Sequence, residues 1–399
     1  MKPKGVCVKC GKPLPFIGKT MLDLCPDCLL AEEAARSDNA FDSRWKTPDF
    51  SGYALPDRQR FADVISWTMA FAITVNASDI HLKSGILPHI RKGGVIIPIG
   101  NEPLTDEMIA AFIRKNVPLA ANDHRCSYDF SFSAGKSRFR GNAFHDSAGW
   151  SVALRHLFVE NFDFNRFGIP DILKDFADNP SGLILVTGST GSGKTTTLTC
   201  LLDYLNHHSK RHIITLEDPV EYIYKMDKCI ISQREIGKDT DSYDRAIVEA
   251  MREDPDIIMV GEMRDRASIE AALRAAETGH LVLSTLHTRD SASTINRIID
   301  IFPVDQQQQI RTQLALCLIG SVAQQLVPSA VLGERCLATE VMRVTYPVRS
   351  LIRDGKVHMM GNVLQTSAAD GMYTMRKSLE FLLNAGKITK ETYNEYCTD

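Results

Sequence analysis

Between Leu55 and His156 the apolar positions change period several times over short runs. Phe61, Val64, Ile65, Met69 and Ala72 recur at helical spacing and predict an amphipathic helix that ends before Asn76. Short strand-like runs follow at 79–82, 88–91 and 95–99, and a second helix is expected near 106–117. The alternation Tyr128-Asp129-Phe130-Ser131-Phe132, the run 138–144 and the run 150–156 predict further strands. Short strands with few helices describe an α+β unit built on a mainly antiparallel sheet.

From Gly182 the pattern changes. Apolar runs at 183–187, 213–217, 257–261 and 280–286 alternate with helical segments, the signature of a parallel sheet covered on both faces. A helix is expected from Thr196 to Leu205, helical pattern again from Gln306 through Val322, and mainly helix after Pro347. Upstream, 29–36 has the pattern of a short helix, and the polar stretch after it, with Pro48 and Gly52, is a linker.

Composition narrows the class without choosing the chemistry. At 399 residues the chain is too long for one ordinary core, and its 44% apolar and 24% charged residues are those of a soluble globular protein. A formal charge of −3 argues against a chain built mainly to coat nucleic acid. No run approaches the ~20 apolar residues of a membrane span, and no signal sequence opens the chain, so a cytoplasmic protein is expected.

The chemistry enters at Gly188-Ser189-Thr190-Gly191-Ser192-Gly193-Lys194-Thr195, followed by Thr196. This is a complete P-loop, set between a predicted strand and a predicted helix. Glycines allow backbone N–H groups to close around phosphate oxygens, Lys194 supplies a charge for the β and γ phosphates, and Thr195 offers a hydroxyl to Mg²⁺. ATP hydrolysis also needs a group to orient water and positive charge at the γ-phosphate. Glu262, after the strand 257–260 and Gly261, is the first candidate for the water, whereas Asp256 at the strand's opening reads as structural. Glu217, in the acidic run Glu217-Asp218-Pro219-Val220-Glu221, is placed beside the P-loop to bind Mg²⁺ through water or share the base role; a solvated acidic turn is the alternative. His287 can sense the γ-phosphate, and His280 is equally readable as a core histidine. Arg234, Arg245 and Arg252 are candidates to reach a neighbouring subunit's nucleotide, and the sequence leaves open which does so.

Cys7, Cys10, Cys25 and Cys28 form two Cys-x-x-Cys knuckles with zinc-ribbon spacing. Neither pair opens a helix after a strand, where a redox pair is activated, so structural Zn²⁺ is the expectation. The other cysteines show no ligand spacing and read as core or surface thiols.

Five elements in order carry a family resemblance: Ala77-Ser78-Asp79-Ile80-His81-Leu82, the P-loop, the acidic box from Ile214 to Glu221, Gly261-Glu262-Met263-Arg264-Asp265, and the histidine box from Thr278 to Thr288. From about Leu55 onward the chain resembles the secretion ATPases of the type II secretion and type IV pilus superfamily, and within it the twitching-motility retraction motors. The resemblance implies an α/β chain with a PAS-like N-terminal domain (55–168), a RecA-like ATPase domain (169–346) and a helical C-terminal segment (347–399), behind the zinc-ribbon-like module (1–36) and linker (37–54). It implies a homohexamer at the cytoplasmic face of the inner membrane, with ATP bound between the two domains. Hydrolysis would work a membrane platform protein that feeds pilins out of the fibre. Retraction motors carry Ala-Ile-Arg-Asn-Leu-Ile-Arg-Glu, and here Pro347-Val348-Arg349-Ser350-Leu351-Ile352-Arg353-Asp354 keeps both arginines and the apolar pair while replacing Ala, Asn and Glu. Pilus assembly or type II/IV secretion is the alternative, and a nucleic-acid-binding ATPase gripping DNA through the zinc module is a third reading.

Overall fold

The computed structural model describes residues 50–117, 126–135, 137–157, 162–331 and 334–397. The module expected at 1–36, with Cys7, Cys10, Cys25 and Cys28, lies outside them.

In the first layer, helix α1 (Val64–Thr74) starts where the Asp63 carboxylate accepts the Ser66 N–H, and it buries Val64, Trp67 and Phe71. Strands β1 (Asp79–Lys83), β2 (His89–Lys92) and β3 (Val95–Pro98) precede helix α2 (Asp106–Asn116), which is capped by Thr105 and buries Ile109 and Ile113. Strands β4 (Ser127–Ala134), β5 (Ser137–Asp146) and β6 (Gly149–Leu157) complete a sheet of order β3-β2-β1-β6-β5-β4, antiparallel throughout. Phe139 points into this core, so its neighbours Arg138 and Arg140 face away from it.

Two short helices, α3 (Phe164–Phe167) and α4 (Ile172–Ala177), lead into the second sheet. Its elements are β7 (Gly182–Gly188), α5 (Lys194–His208), β8 (His212–Glu217), β9 (Ile230–Glu235), α6 (Tyr243–Ala250), β10 (Ile257–Val260), α7 (Arg266–Glu277), β11 (Leu281–Leu286), α8 (Ser291–Asp300), α9 (Val304–Cys317), β12 (Leu318–Pro328) and β13 (Arg335–Arg343). The strand order is β13-β12-β7-β11-β10-β8-β9, with parallel neighbours except β12 and β13. Successive residues of β7 serve opposite faces: Leu183 and Leu185 pack with α6 to α9, Ile184 and Val186 with α4 and α5. Covering both faces is what makes these strands continuously apolar, and each fully buried Leu or Ile contributes about 1.5–3 kcal/mol.

The helix expected to run from Gln306 through Val322 stops at Cys317, and Leu318 to Val322 open β12. β12 pairs in parallel with β7, Val322 opposite Val186 and Gln324 opposite Gly188. Gly320 permits this approach, because a Cβ there would lie 2.5 Å from the Phe176 ring and 2.6 Å from the Met342 carbonyl. Strands β9 and β13 were not expected either. The C-terminal helices α10 (Tyr346–Arg353), α11 (Met360–Thr366), α12 (Met375–Asn384) and α13 (Lys390–Tyr396) close the chain. Val348, Ile352, Met360 and Leu364 share one core with the parallel sheet, while α12 and α13 enclose a smaller cluster with Val327 and Ala338.

Candidate active site

The P-loop joins β7, wholly buried, to α5. Gly188 has φ +145°, and a Cβ on it would lie 2.4 Å from the Gln324 carbonyl and 2.5 Å from Ser192 Oγ. Gly191 (φ +78°) and Gly193 (φ +91°) turn the chain in conformations that L side chains avoid, and Gly193 hands it to the first turn of α5. That turn presents free N–H groups and contains no acidic side chain, which makes it a site for phosphate. Ser189, Thr190 and Thr195 are exposed around the loop, Thr196 is half-buried, and the Ser192 hydroxyl is buried without a protein partner. Lys194 lies under the loop, its Nζ donating to the Gly188 and Ser189 carbonyls at 2.9 and 3.0 Å. Burial holds this amine below the usual lysine range, and the Glu262 charge opposes the shift.

The strand order fixes what meets this loop. β11 is hydrogen-bonded to β7 and β10 to β11, so the residues leaving their carboxyl ends line up beside the P-loop. His287 follows β11 and Glu262 follows β10, with His287 Nε2 3.4 Å from Glu262 Oε2. Glu262 Oε1 also accepts from the Arg264 guanidinium. Thr285 Oγ1 donates to the Gly261 carbonyl at 2.6 Å and Met263 N to the Thr285 carbonyl, fastening the two strand ends together. A largely buried carboxylate, a histidine and a lysine thus meet at the mouth of an anion-binding turn.

Glu217, expected beside the P-loop, ends β8, and its Cα lies 3.7 Å from where a Cβ on Gly261, the neighbour of Glu262, would stand. β10 and β11 stand between β8 and β7, so three interstrand spacings, about 14 Å, separate their backbones. Its Oε1 accepts from Thr215 Oγ1 at 2.7 Å and Gln233 Nε2 at 3.2 Å, and burial pushes the carboxyl up to about 7. The arginines are placed on the far edge of the sheet. Arg234 pairs with Glu249 at 2.8 Å and Glu253 at 3.0 Å, and Arg245 pairs with Asp241 and Glu249. Arg252 is exposed beside them on a groove formed by α6 and α7. None of these contacts reaches the P-loop. Asp256 accepts the His212 N–H at 2.8 Å, and His280 holds its Nδ1 3.0 Å from the Ala275 carbonyl at the end of α7.

Two basic residues were missed. Arg138 and Arg140 project from β5 onto the acidic box: Arg138 donates to the Val220 carbonyl, and Arg140 lies 3.2 Å from Glu221. The alternation Arg138-Phe139-Arg140 was the available signal, since an inward Phe turns both arginines outward. Cys200, Cys229 and Cys317 are buried free thiols, Cys336 and Cys397 are half-buried and Cys126 is exposed. Among the described residues no group of three or more His, Cys, Asp or Glu side chains could hold a metal ion, and no helix is long and apolar enough to cross a membrane.

Residues 56–361 match the family described as Type II/IV secretion system protein. The chain is 40% identical over 338 residues to the type IV pilus retraction ATPase PilT of Pseudomonas aeruginosa, covering 83% of this chain and 97% of that one. It is 40% identical over 293 residues to a twitching motility protein of Neisseria gonorrhoeae, covering 71% and 78% of the two chains. A crystal structure of the pilus retraction motor PilT with bound ADP superimposes with a TM-score of 0.77 at 41% identity, over 84% of this chain and 97% of that one. The chain therefore belongs to the type II/IV secretion system protein family, as an ATPase with an α/β fold.

Proposed function

We propose that this chain is an ATP-driven motor that retracts type IV pili. The observation that carries the reading is the convergence of Lys194, Glu262 and His287 on one P-loop, in a chain that matches a retraction ATPase over nearly that protein's whole length. On phosphate binding, Lys194 exchanges the Gly188 and Ser189 carbonyls for β- and γ-phosphate oxygens, while N–H groups of Gly191 to Thr196 close on the rest. Glu262 orients the attacking water and accepts its proton, with His287 holding the carboxylate and reading the γ-phosphate. The exposed Thr195 hydroxyl in the first turn of α5 is a hard oxygen donor that would hold Mg²⁺, which when bound would offset phosphate charge. Glu217, held by Thr215 beside the end of Glu262's strand, would reach the ion through water or share the base role.

The same reading takes residues 55–168 as a PAS-like domain, 169–346 as a RecA-like domain, 347–399 as a helical C-terminal segment and 37–54 as a linker. Residues 1–36 form a zinc-ribbon-like module on Cys7, Cys10, Cys25 and Cys28. Six copies form a ring at the cytoplasmic face of the inner membrane, act on a platform protein and return pilins to the membrane. One of Arg234, Arg245 and Arg252 reaches the neighbouring nucleotide. Glu262→Gln tests the motor: it should trap bound ATP and leave cells whose pili extend without retracting. Normal retraction by that variant sinks the assignment. Pilus assembly or secretion is the second reading, favoured by Pro347, Ser350 and Asp354 in place of the retraction motif's residues; loss of pili on deletion would select it.

A further inference from the structure

Glu340 lies in the middle of β13, opposite Ala323 of β12, and is 8% exposed. A carboxylate buried to this degree needs strong donors. Its Oε1 accepts the backbone N–H of Ser291 at 2.8 Å, it is hydrogen-bonded by the Ser291 side chain, and it accepts the backbone N–H of Met375. Ser291 is the first residue of α8 and Met375 the first of α12. Each helix already has its own N-cap, Asp290 accepting from Ser293 N and Thr374 from Lys377 N, so Glu340 takes donors those caps leave free. One side chain thereby completes the positive ends of two helices that are far apart in sequence.

The two helices lead to different parts of the molecule. α8 begins four residues after His287, and the intervening loop is tied to its first turn: Thr294 Oγ1 donates to the Asp290 carbonyl at 2.7 Å and lies 2.6 Å from Thr288 Oγ1. A shift of the α8 terminus therefore moves the loop that sets His287 3.4 Å from Glu262. α12 belongs to the C-terminal helices, and the segment before it is fixed to β13 on both sides of Glu340. Val341 exchanges backbone hydrogen bonds with Tyr373, Thr339 Oγ1 meets the Tyr373 hydroxyl at 2.8 Å, and Thr339 N donates to Ser378 Oγ at 3.0 Å. Glu340 hydrogen-bonds the first residues of both α8 and α12, which puts it on the path of contacts from α12 to His287, beside the Ser321–Ser291 hydroxyl pair and the apolar packing of α8 on β13.

We propose that Glu340 is a positioning residue for ATP hydrolysis, coupling the C-terminal helices to the His287–Glu262 pair. The proposal rests on the role given above to that pair, and the test separates the two. Glu340→Gln keeps the shape but has one acceptor oxygen where two helix termini need serving. Met375→Pro leaves Glu340 in place and deletes the N–H of α12 at the first helical position, where proline is tolerated and where Thr374, at φ −82° and ψ 162°, already has the extended conformation a following proline requires. Both are made in the full chain, with ATPase rates read at saturating and limiting ATP beside thermal unfolding. Each is expected to lower kcat about tenfold with KM within about twofold, as for loss of an interaction acting only on the chemical step. Glu340→Gln should add no further loss to His287→Ala, because it acts through that histidine. Wild-type kcat in either variant, a raised KM with kcat kept, or fully additive losses with His287→Ala overturns the proposal, and Met375→Pro decides it alone if Glu340→Gln does not fold. Wild-type hydrolysis by both His287→Ala and Glu262→Gln would overturn the reading of the site itself.

Discussion

Arg138 on β5 donates to the backbone carbonyl of Val220 through both Nη2, at 2.9 Å, and Nε, at 3.3 Å. The antiparallel sheet thus grips the acidic box of the parallel sheet by its main chain. Glu235 completes the joint, its Oε2 accepting from Val220 N at 3.1 Å and from Ser131 Oγ at 3.0 Å, 3.9 Å from the Arg138 guanidinium. Arg138 and Glu235 side chains are 12% and 11% exposed, so solvent does little to replace what one loses when the other goes. Arg138→Lys keeps the charge but cannot serve Val220 and Ser131 with one planar fork. A loss of about 1.5–3 kcal/mol is expected, the range for a hydrogen bond from a charged donor. Urea unfolding measures it, and an unchanged midpoint for the lysine variant would remove this joint from the account of how the two sheets are held.

Glu217 gives a pH-dependent stability of unusual sign. Its folded carboxyl sits at about 7, above its ordinary 4.5, because burial outweighs the hydrogen bonds from Thr215 and Gln233. The folded state therefore binds this proton more tightly than the unfolded state. Stability from this group is fully present below pH 4.5 and falls as pH rises to 7. Glu217→Gln removes the titration and keeps an acceptor for Thr215. The variant is expected to gain on wild type with rising pH, by an amount on the order of 3 kcal/mol at pH 8. Unfolding curves at pH 5 and pH 8 check this, and a wild-type–variant difference that is the same at both would contradict it.

The strand β12 stands where a helix was expected, and Gly320 is the residue that distinguishes the two. In a helix a glycine is merely unfavourable, whereas here a side chain would meet Phe176 at 2.5 Å and the Met342 carbonyl at 2.6 Å. Gly320→Ala is expected to cost about 1–3 kcal/mol as β12 is pushed away from its neighbours. Because Gln324 on the same strand donates to Thr197 of α5 at 2.6 Å, nucleotide affinity should fall as well. Thermal unfolding and ADP titration read the two effects; a variant as stable as wild type would mean that the strand has room the packing denies.

What was legible before the structure follows a physical division. The P-loop was readable because its conformation is imposed by adjacent residues: three glycines at positive φ, then a helix terminus. The placement of Glu262 and His287 was readable because each leaves the end of an apolar run, and parallel strands place such ends along one edge. Leu318 to Val322 were not, since a short apolar run after a helix carries no period that separates strand from helix. Arg138 and Glu340 were invisible for another reason: their partners lie 82 and 49 residues away, and register alone brings them together. Strand order, not distance along the chain, sets Glu217 three strands from β7 and against the end of Glu262's strand, which the sequence alone does not show.

The three candidate arginines can be sorted by what each would lose. Arg234 is 19% exposed and held by two carboxylates, so Arg234→Ala leaves Glu249 and Glu253 facing each other and should destabilise the fold along with activity. Arg252 is exposed and belongs to a groove with Arg245, Arg274, Glu249 and Glu270, so Arg252→Ala should leave the unfolding midpoint near wild type. If Arg252 serves a neighbouring subunit's phosphate, its loss lowers hydrolysis without affecting stability. Mixing then decides. Subunits carrying Arg252→Ala have an intact Glu262, and subunits carrying Glu262→Gln have an intact Arg252. In the proposed ring, a mixture of both would contain sites where one copy's carboxylate meets the other copy's guanidinium, so activity should reappear above the sum of the separate preparations. Simple addition of the two residual rates would assign Arg252 to the surface and pass the role to a residue the fold holds elsewhere.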